Sequence, residues 1–451
     1  MSSAATISAP PSTSVVGDDA PLARATMRRV SLTLLPFLFV LYIFNFLDRT
    51  NVGIAALQMN RDLGFSASAY GLGAGIFFVG YALFEVPSNL ILARIGARRW
   101  IARIMISWGL IAAAMMFVRT PLHFYALRLL LGVAEAGFFP GIIYYLSLWF
   151  PAPERARATS RFMIAIPLAA AVGNPLGVWL LGLDGLSGLR GWQWLFLVEG
   201  LPSVLLGVGV LALLRDGPED ARWLSREQRD WLAARMRRDQ DECAAPHGLP
   251  ALRALLHPLV WLVSLVYFLA VTAHYGYTFW APLLIRDALR ASDTTAGLVT
   301  AAIGCLAAAA MLAAGAHSDR TGERALHAAA GTALASLGYV VAALFPSPMW
   351  RVTGLALVNV GIGIFLTPFW CLPSTFLRAS AAAAGIAFVN SIGNLGGLVG
   401  PYLIGRLQDA TGSNTAAFLA LAALALLAGA MCIVLRRQAI LAVPRHARRA
   451  A

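Results

Sequence analysis

The chain has 451 residues, of which 59% are hydrophobic and 13% charged, and its mean hydropathy is +0.71. These values exclude an ordinary soluble domain and indicate a protein that crosses a membrane many times. All 35 basic residues are arginine, which excludes the lysine-containing phosphate loop of nucleotide-driven pumps and Schiff-base chemistry on a lysine. Any energy that the protein uses must therefore come from a gradient.

The first thirty residues are rich in Ser, Ala and Pro and contain no apolar core. They predict a disordered cytoplasmic tail over 1–30 that is not a cleaved signal peptide. Twelve apolar segments follow, each long enough to cross a hydrocarbon layer of about 30 Å as a helix. We predict an all-α integral membrane protein whose twelve transmembrane helices lie at 31–57, 68–93, 100–118, 122–147, 161–183, 192–214, 256–285, 296–316, 327–345, 351–375, 381–406 and 415–436.

The longest connection, 215–255, is charged and carries apolar residues at helical spacing. It divides the chain into an N-terminal six-helix bundle (31–214) and a C-terminal one (256–436), with a cytoplasmic tail at 437–451. Special residues recur between the halves at an offset of 226, which is the signature of an internal repeat. The matched pairs are Gly96 and Gly322, Arg98 and Arg324, Gly137 and Gly363, and Pro175 and Pro401. Such a repeat predicts two pseudo-symmetric bundles with a site between them near the membrane midplane.

The arginines are distributed unevenly between alternate connections. Counted with the termini, 26 lie on one side and seven on the other, and Arg49 and Arg128 lie inside the predicted spans. Because cytoplasmic connections carry the excess of basic residues, both termini are predicted to be cytoplasmic. The expected location is the inner (plasma) membrane.

Four ionisable residues lie at similar depth within the first and fourth spans. Asp48 and Arg49 occur in "NFLDRTNVG", and Arg128 and Glu135 occur in "LRLLLGVAEAGFFPG", seven residues apart and so on one helix face. An unpaired charge in lipid is costly and usually functional, so the four are expected to face a cavity and one another as a neutral layer. A static ion-pair cluster that locks the two helices together is the structural alternative. Glu85 lies near the cytoplasmic end of the second span and Glu199 in the outer half of the sixth. We expect them to hydrogen-bond a loop or helix end, with proton relay as the alternative.

The C-terminal half has neutral residues at the positions that correspond to these charges. At the offset of 226, Asp48 and Arg49 correspond to His274 and Tyr275. We therefore predict a wall that cradles the body of a substrate, with helix packing as the alternative for each aromatic side chain. Its candidate members are His274, Tyr275, Tyr277, Trp280, Trp370, Asn390 and Asn394.

The architecture and the stretch "GAHSDRTGER" resemble the major facilitator superfamily, in which the loop after the second helix of each half carries a Gly, Asp, Gly, basic pattern. The second copy here is nearly complete, whereas the first has Asn89 and Ala93 where Gly and Asp belong. The resemblance implies gating loops formed by Gly96, Arg98, Asp319, Arg320, Gly322 and Arg324. The alternative is that these arginines only set the orientation in the membrane.

Five longer stretches are similar to the anion:cation symporter family, and within it to bacterial transporters of tartrate and of sugar acids such as galactonate and glucarate. They are "NFLDRTNVGIA", "YALFEVPSNLILARIGARRWIARI", "RLLLGVAEAGFFPGIIYYLSLWFP", "RDGPEDARWLS" and "PFWCLPSTFLRASAAAAGIAFVNSIGNLGGLVGPYLIG". The resemblance implies that Asp48 and Glu135 take up protons and that Arg49 and Arg128 hold the substrate carboxylate. It implies a transporter and not an enzyme.

The expected function is proton-coupled uptake of a small organic carboxylate. An organic-anion exchanger, a proton-antiport exporter of aromatic or drug-like compounds, a membrane enzyme and a non-transporting sensor are the alternatives; no Ser elbow or HExxH motif supports the enzyme. The expected partners are the carboxylate, the proton as coupling ion and the lipid bilayer, with no nucleic acid, for a chain acting as a monomer. No cofactor is expected. The four cysteines have neither disulfide nor metal-ligand spacing, so no metal site is expected.

Overall fold

The computed structural model describes residues 20–163, 165–243, 257–372 and 379–442. Their regular secondary structure is helical, with 3₁₀ turns at Met115–Phe117, Leu186–Gly188 and Pro218–Asp220. The α-helices are α1 (Ala20–Leu63), α2 (Ala67–Ile95), α3 (Ala97–Ala114), α4 (Pro121–Glu135), α5 (Phe138–Trp149), α6 (Ala152–Met163), α7 (Ala165–Leu181), α8 (Gly191–Leu213), α9 (Arg226–Cys243), α10 (Pro258–Leu289), α11 (Asp293–Thr321), α12 (Ala325–Leu344), α13 (Pro348–Cys371), α14 (Ala379–Asn394), α15 (Gly396–Thr411) and α16 (Thr415–Ala442).

Twelve membrane crossings account for all of these helices except α9. Ten spans among the described residues are long and apolar enough to cross a membrane unaided. Of the remaining two crossings, the fifth is formed by α6 and α7, which lie on either side of residue 164, and the eleventh is divided between α14 and α15. The predicted all-α fold with twelve crossings is therefore confirmed. The fourth crossing is also divided, between α4 and α5, directly after Glu135.

The predicted disordered tail is wrong for residues 20–30. These residues form the first turns of α1, because Thr26 and Val30 are both completely buried and give this stretch a packed face. Likewise, α16 continues to Ala442, six residues beyond the predicted span. Residues 1–19, 244–256, 373–378 and 443–451, on which parts of the predicted tails, linker and tenth span fall, lie outside the described residues.

The linker between the bundles is attached to the N-terminal bundle. The indole rings of Trp223 and Trp149 stack with centroids 5.6 Å apart, and Arg155 forms an ion pair with Asp239 of α9 at 3.4 Å. Leu232 of α9 is fully buried. The apolar spacing in the linker thus serves packing against the bundle.

The two bundles meet most extensively at the end opposite the termini, which we call the opposite face; the end where α1 begins and α16 ends is the terminal face. At the opposite face, the Tyr70 hydroxyl donates to the Phe279 carbonyl at 2.6 Å, and Arg286 donates to the Leu57 carbonyl at 2.8 Å. The carboxylate of Asp409 accepts hydrogen bonds from the backbone at the start of α2. These contacts close the opposite face.

Candidate functional site

Arg49 and Glu135 form an ion pair between α1 and α4. The Arg49 Nε donates to Glu135 Oε1 at 3.1 Å, and Nη2 donates to the same oxygen. The Glu135 side chain is completely buried, and that of Arg49 is 17% exposed. The second oxygen, Oε2 of Glu135, has no hydrogen-bond partner in the described part of the chain. One carboxylate oxygen of Glu135 is therefore paired with Arg49, and the other can still accept a hydrogen bond or a proton.

Aromatic side chains of α2 surround the arginine. The Arg49 guanidinium lies 5.0 Å from the centroid of the Tyr81 ring and 5.6 Å from that of Phe77. A cation over a ring face is stabilised by the ring quadrupole. Neither ring is among the residues predicted from the sequence, although their spacing of four residues places them on one face of α2.

Arg128 is completely enclosed but has no carboxylate partner among the described residues. Its Nε and Nη2 donate to the backbone carbonyls of Gly73 and Ala74 at 3.3 and 3.0 Å, and its guanidinium lies 4.9 Å from the Phe77 centroid. The residue is only 1% exposed. The positive charge is thus met by neutral dipoles, which leaves it able to accept an anion.

Asp48 does not join the other three charges. It accepts hydrogen bonds from the Trp108 indole of α3 and, at 3.2 Å, from the Ser203 hydroxyl of α8. Adjacent residues on a helix point about 100° apart, so α1 directs Asp48 towards α3 and α8 while Arg49 faces α2 and α4. The predicted four-charge layer in which Asp48 holds an arginine is therefore wrong.

Close packing of α2 and α4 brings the charged face into position. A Cβ added to Gly132 would lie 2.0 Å from the Phe77 carbonyl oxygen, so only glycine permits this approach. Gly132 lies between Arg128 and Glu135, and the approach sets both residues against the rings of α2.

On the facing helix α10, Tyr275 lies nearest to the charged pair. Its ring packs on Phe78 of α2, with centroids 4.4 Å apart, and its side chain interacts with Arg49. His274 is half-buried and packs beside the Tyr275 ring at 5.0 Å. The structure therefore brings Tyr275 to the N-terminal charges, whereas the His274 side chain contacts Tyr275 and Thr278 of its own helix.

Three other aromatic candidates lie elsewhere. Tyr277 is buried in the core of the C-terminal bundle beside Tyr339. Trp280 donates to the Pro401 carbonyl at 3.1 Å and packs edge-on against Tyr70 at the closed opposite face. Trp370 is half-buried and packs against Tyr267. For Tyr277 and Trp280, helix packing explains the position.

The asparagines of α14 divide between two environments. Asn390 donates to Glu85 Oε1 of α2 at 3.1 Å, and the neighbouring Ser391 donates to Glu85 Oε2 at 3.0 Å. Asn394 is buried at the end of α14, where the helix breaks before α15. Glu85 thus bonds side chains of the other bundle, and the expected bond to a loop or helix end is wrong. These are the interbundle hydrogen bonds that the described residues form towards the terminal face.

The first predicted gating loop gains an acidic residue from outside its motif. Gly96, which ends α2, has a φ of 97° that L-residues avoid. Arg98 donates from its backbone to Asp216 Oδ1 at 2.9 Å and from its side chain to the Leu211 carbonyl. Asp216, just after α8, therefore supplies the carboxylate that the first motif lacks. The sequence could not reveal this contact because the two residues are over a hundred positions apart.

The second loop is held by its own residues. Gly322 ends α11 in the left-handed conformation, Asp319 pairs with Arg324, and Arg320 is exposed.

A further ion pair ties the second loop to the last helix. Arg436 of α16 donates to both carboxylate oxygens of Glu323, at 2.7 and 3.2 Å, and this hydrogen bonding lowers the pKa of Glu323. In both halves, the loop is thus joined to the end of that half's sixth crossing.

Comparison with known proteins agrees with this fold. The model of the Major Facilitator Superfamily matches residues 38–401. The chain belongs to the major facilitator superfamily. It is 48% identical over 423 residues, covering 94% of both chains, to a protein of Agrobacterium vitis named "Putative tartrate transporter". It is 40% identical over 390 residues to the "Quinolone resistance transporter" of Acinetobacter baumannii, covering 86% of this chain and 90% of that one.

A solved structure of the superfamily shares the fold. The bacterial homologue of the human lysosomal transporter Spinster, in an inward-facing and occupied conformation, gives a TM-score of 0.73 at 18% identity, covering 90% of this chain and 96% of that one. The predicted resemblance to the superfamily, and within it to tartrate transporters, is confirmed. The protein is a multi-pass membrane transporter of the superfamily, and the prediction that it is not an enzyme is confirmed as well.

Proposed function

We propose that this transporter couples the inward movement of protons to the uptake of a small organic carboxylate, such as tartrate or a sugar acid. The observation that supports this most strongly is Arg128, which is 1% exposed and whose partners among the described residues are two backbone carbonyls and the rings of Phe77 and Phe279. A bound carboxylate would supply the missing negative charge through a bidentate, charge-assisted contact. The name of the Agrobacterium vitis relative agrees with such a cargo.

Glu135 gives the proposed link between the proton and the substrate. In the structure its carboxylate holds Arg49. A proton on Glu135 removes the charge that holds the arginine, so Arg49 becomes available to a substrate carboxylate. The aromatic rings of Phe77 and Tyr81 keep the guanidinium in place during this exchange of partners. Binding of the proton and of the anion then favour each other.

The arrangement in the membrane follows from the arginine distribution. We place the terminal face in the cytoplasm and the opposite face outside, in the inner (plasma) membrane, because 26 arginines lie in connections on the side of the termini and seven on the other. The protein acts as a monomer in the bilayer, and the site lies between the two bundles. Apart from the corrected helix ends, the domain boundaries stay a prediction.

A second candidate function is proton-antiport export of aromatic compounds. The relative from Acinetobacter baumannii carries the name of a quinolone resistance transporter, and rings of Phe77, Tyr81 and Tyr275 surround Arg49. An aromatic acid could stack there. Two arginines at one site favour an anionic cargo over a neutral or cationic drug.

A thermal-shift screen of the purified protein tests the cargo class. The panel contains tartrate, aldonates, aldarates and aromatic carboxylates, with the matching neutral amides as controls, at acidic and neutral pH. We expect at least one hydroxylated carboxylate to raise the melting temperature, more so at acidic pH, and its amide to have no effect. Stabilisation by neutral or cationic compounds alone would overturn the proposal.

A further inference from the structure

A pair of buried carboxyl groups lies on the side of α1 that faces away from Arg49. Asp48 of α1 and Glu199 of α8 are each 1% exposed. Neither pairs with an arginine in the described part of the chain. Their hydrogen-bond donors are neutral: Trp108 and Ser203 donate to Asp48, and the Asn51 amide donates to Glu199 Oε2 at 2.8 Å.

The two carboxyl groups are neighbours across one helix interface. α1 and α8 run antiparallel, and they are joined by two successive contacts, Asp48 to Ser203 and Asn51 to Glu199. The contacts are one helical turn apart on each helix, which is about 5 Å along the axis. Each carboxyl group therefore lies within electrostatic range of the other.

Two ionised carboxylates cannot be stable in this position. An uncompensated charge in the membrane interior costs several kcal/mol, and adjacent like charges add to that cost. The described residues nearby carry four other charges: Arg49 of α1, Arg128 and Glu135 of α4, and Arg103 of α3, which is half-buried and lies over the Trp100 ring. Trp108 of α3 and Asn174 of α7 are neutral. Without the half-buried Arg103, the two arginines and three carboxylates sum to −1 when all five groups are ionised. One proton on the pair gives a neutral set.

Buried polar atoms beside the pair have unused hydrogen-bonding capacity. Oδ1 of Asp48 and Oδ1 of Asn51 have no partner in the described structure, and their residues are 1% and 6% exposed. A small cavity of about 10 Å³ lies beside Asn51 and Glu199, and Thr50 and Asn174 also line it. This is about the space that one water molecule occupies. A proton could pass along such a set of acceptors.

We propose that Asp48 and Glu199 form one proton-binding site that shares a single proton, and that Glu199 is the member that receives it from the opposite face. Glu199 lies eight residues after the start of α8 at that face, or about 12 Å along the helix. Asp48 lies fifteen residues before the end of α1, or about 22 Å. Glu199 is thus the outer carboxyl group, and Asn51, one turn beyond Asp48 on α1, donates to it. The proposal rests on the proposed proton coupling and adds the entry point of the proton.

The test compares wild-type protein with Glu199→Gln in proteoliposomes. Glutamine keeps the size and the hydrogen bond from Asn51 but cannot bind the proton. We expect pH-gradient-driven uptake of the acid found by the screen to fall at least about tenfold, while counterflow exchange without a gradient stays within about twofold of wild type. Infrared difference spectra between acidic and neutral pH should lose a protonated-carboxyl band in the variant. The control is Asp184→Asn, which removes a half-exposed acid at the same face, keeps an oxygen that can accept from the Gly191 backbone and should change neither result.

The outcomes separate this inference from the proposed function. If wild-type uptake ignores the pH gradient, the proposed coupling fails. If wild-type uptake follows the gradient and Glu199→Gln behaves identically in uptake and spectra, only the shared site fails. Asn51→Leu provides a second variant should Glu199→Gln not fold. It leaves both carboxyl groups in place but removes the amide that donates to Glu199. Unchanged gradient-driven uptake in Asn51→Leu would also contradict the proposal.

Discussion

At the scale of single residues, the two buried arginines differ in what balances them. Arg49 is paired with Glu135 and stacked on Tyr81, whereas Arg128 depends on two carbonyls and the Phe77 ring. Arg128 is therefore already available to a carboxylate substrate, whereas Arg49 must first be released from Glu135. This difference explains how a single proton on Glu135 could control whether both arginines act on the cargo.

The geometry at Arg49 predicts that lysine cannot replace it. In Arg49→Lys the charge remains, but the planar group that makes two bonds to one oxygen and stacks on the rings is lost. We expect the apparent affinity for the carboxylate to fall by about 10- to 100-fold, the equivalent of one charged hydrogen bond. The measurement is the substrate concentration that gives half-maximal counterflow. Arg61→Lys, at the exposed end of α1, is the control, and equal affinities in both variants would contradict the assignment.

At the scale of elements, α2 contacts functional groups at three levels of the membrane. Near the opposite face Gly71 lies against the backbone of Pro401 in α15, in the middle Phe77 and Tyr81 surround Arg49, and towards the terminal face Glu85 bonds Asn390 and Ser391. A single helix thus connects the closed face, the charged site and the hydrogen bonds that join the bundles towards the terminal face. Movement of α2 relative to the C-terminal bundle would change all three together.

Glu85→Ala should loosen the bundles towards the terminal face. The substitution removes both hydrogen bonds from α14 to α2, so we expect faster amide hydrogen exchange in α14, measured by mass spectrometry. Asn89→Ala is the matched control, because Asn89 lies one turn further along α2 and donates only within its own helix, to the Glu85 carbonyl at 2.8 Å. Equal exchange in the two variants would show that Glu85 does not hold the bundles together.

Most of the helices could be predicted from the sequence because membrane spans are set by length and hydropathy, which are local properties. The breaks at Ala136 and at Leu395 could not, since they depend on packing between helices. At the site, the sequence predicted that Arg49, Arg128 and Glu135 lie at one depth, but it misplaced Asp48. Depth follows from counting residues along a helix, whereas the direction of a side chain depends on which neighbours surround that helix.

At the scale of the whole molecule, the bundles are in contact at the opposite face and are joined more sparsely towards the terminal face. Tyr70, Arg286 and Asp409 make the first set of hydrogen bonds, and Glu85 makes the second. The charged groups of the site belong to the N-terminal bundle. The C-terminal bundle contributes the Tyr275 side chain, which interacts with Arg49. Rocking of one bundle against the other would therefore carry the arginines and their proton acceptors together.

Gradient-driven uptake by Glu135→Gln tests the central claim most directly. Wild-type protein in proteoliposomes should accumulate the carboxylate when the outside is more acidic than the inside, and accumulation should disappear when a protonophore collapses the gradient. Glu135→Gln should still exchange substrate in counterflow, because Arg49 remains free to bind it, but should not accumulate it. Wild-type uptake that ignores the imposed pH gradient, or full accumulation by Glu135→Gln, would contradict the account.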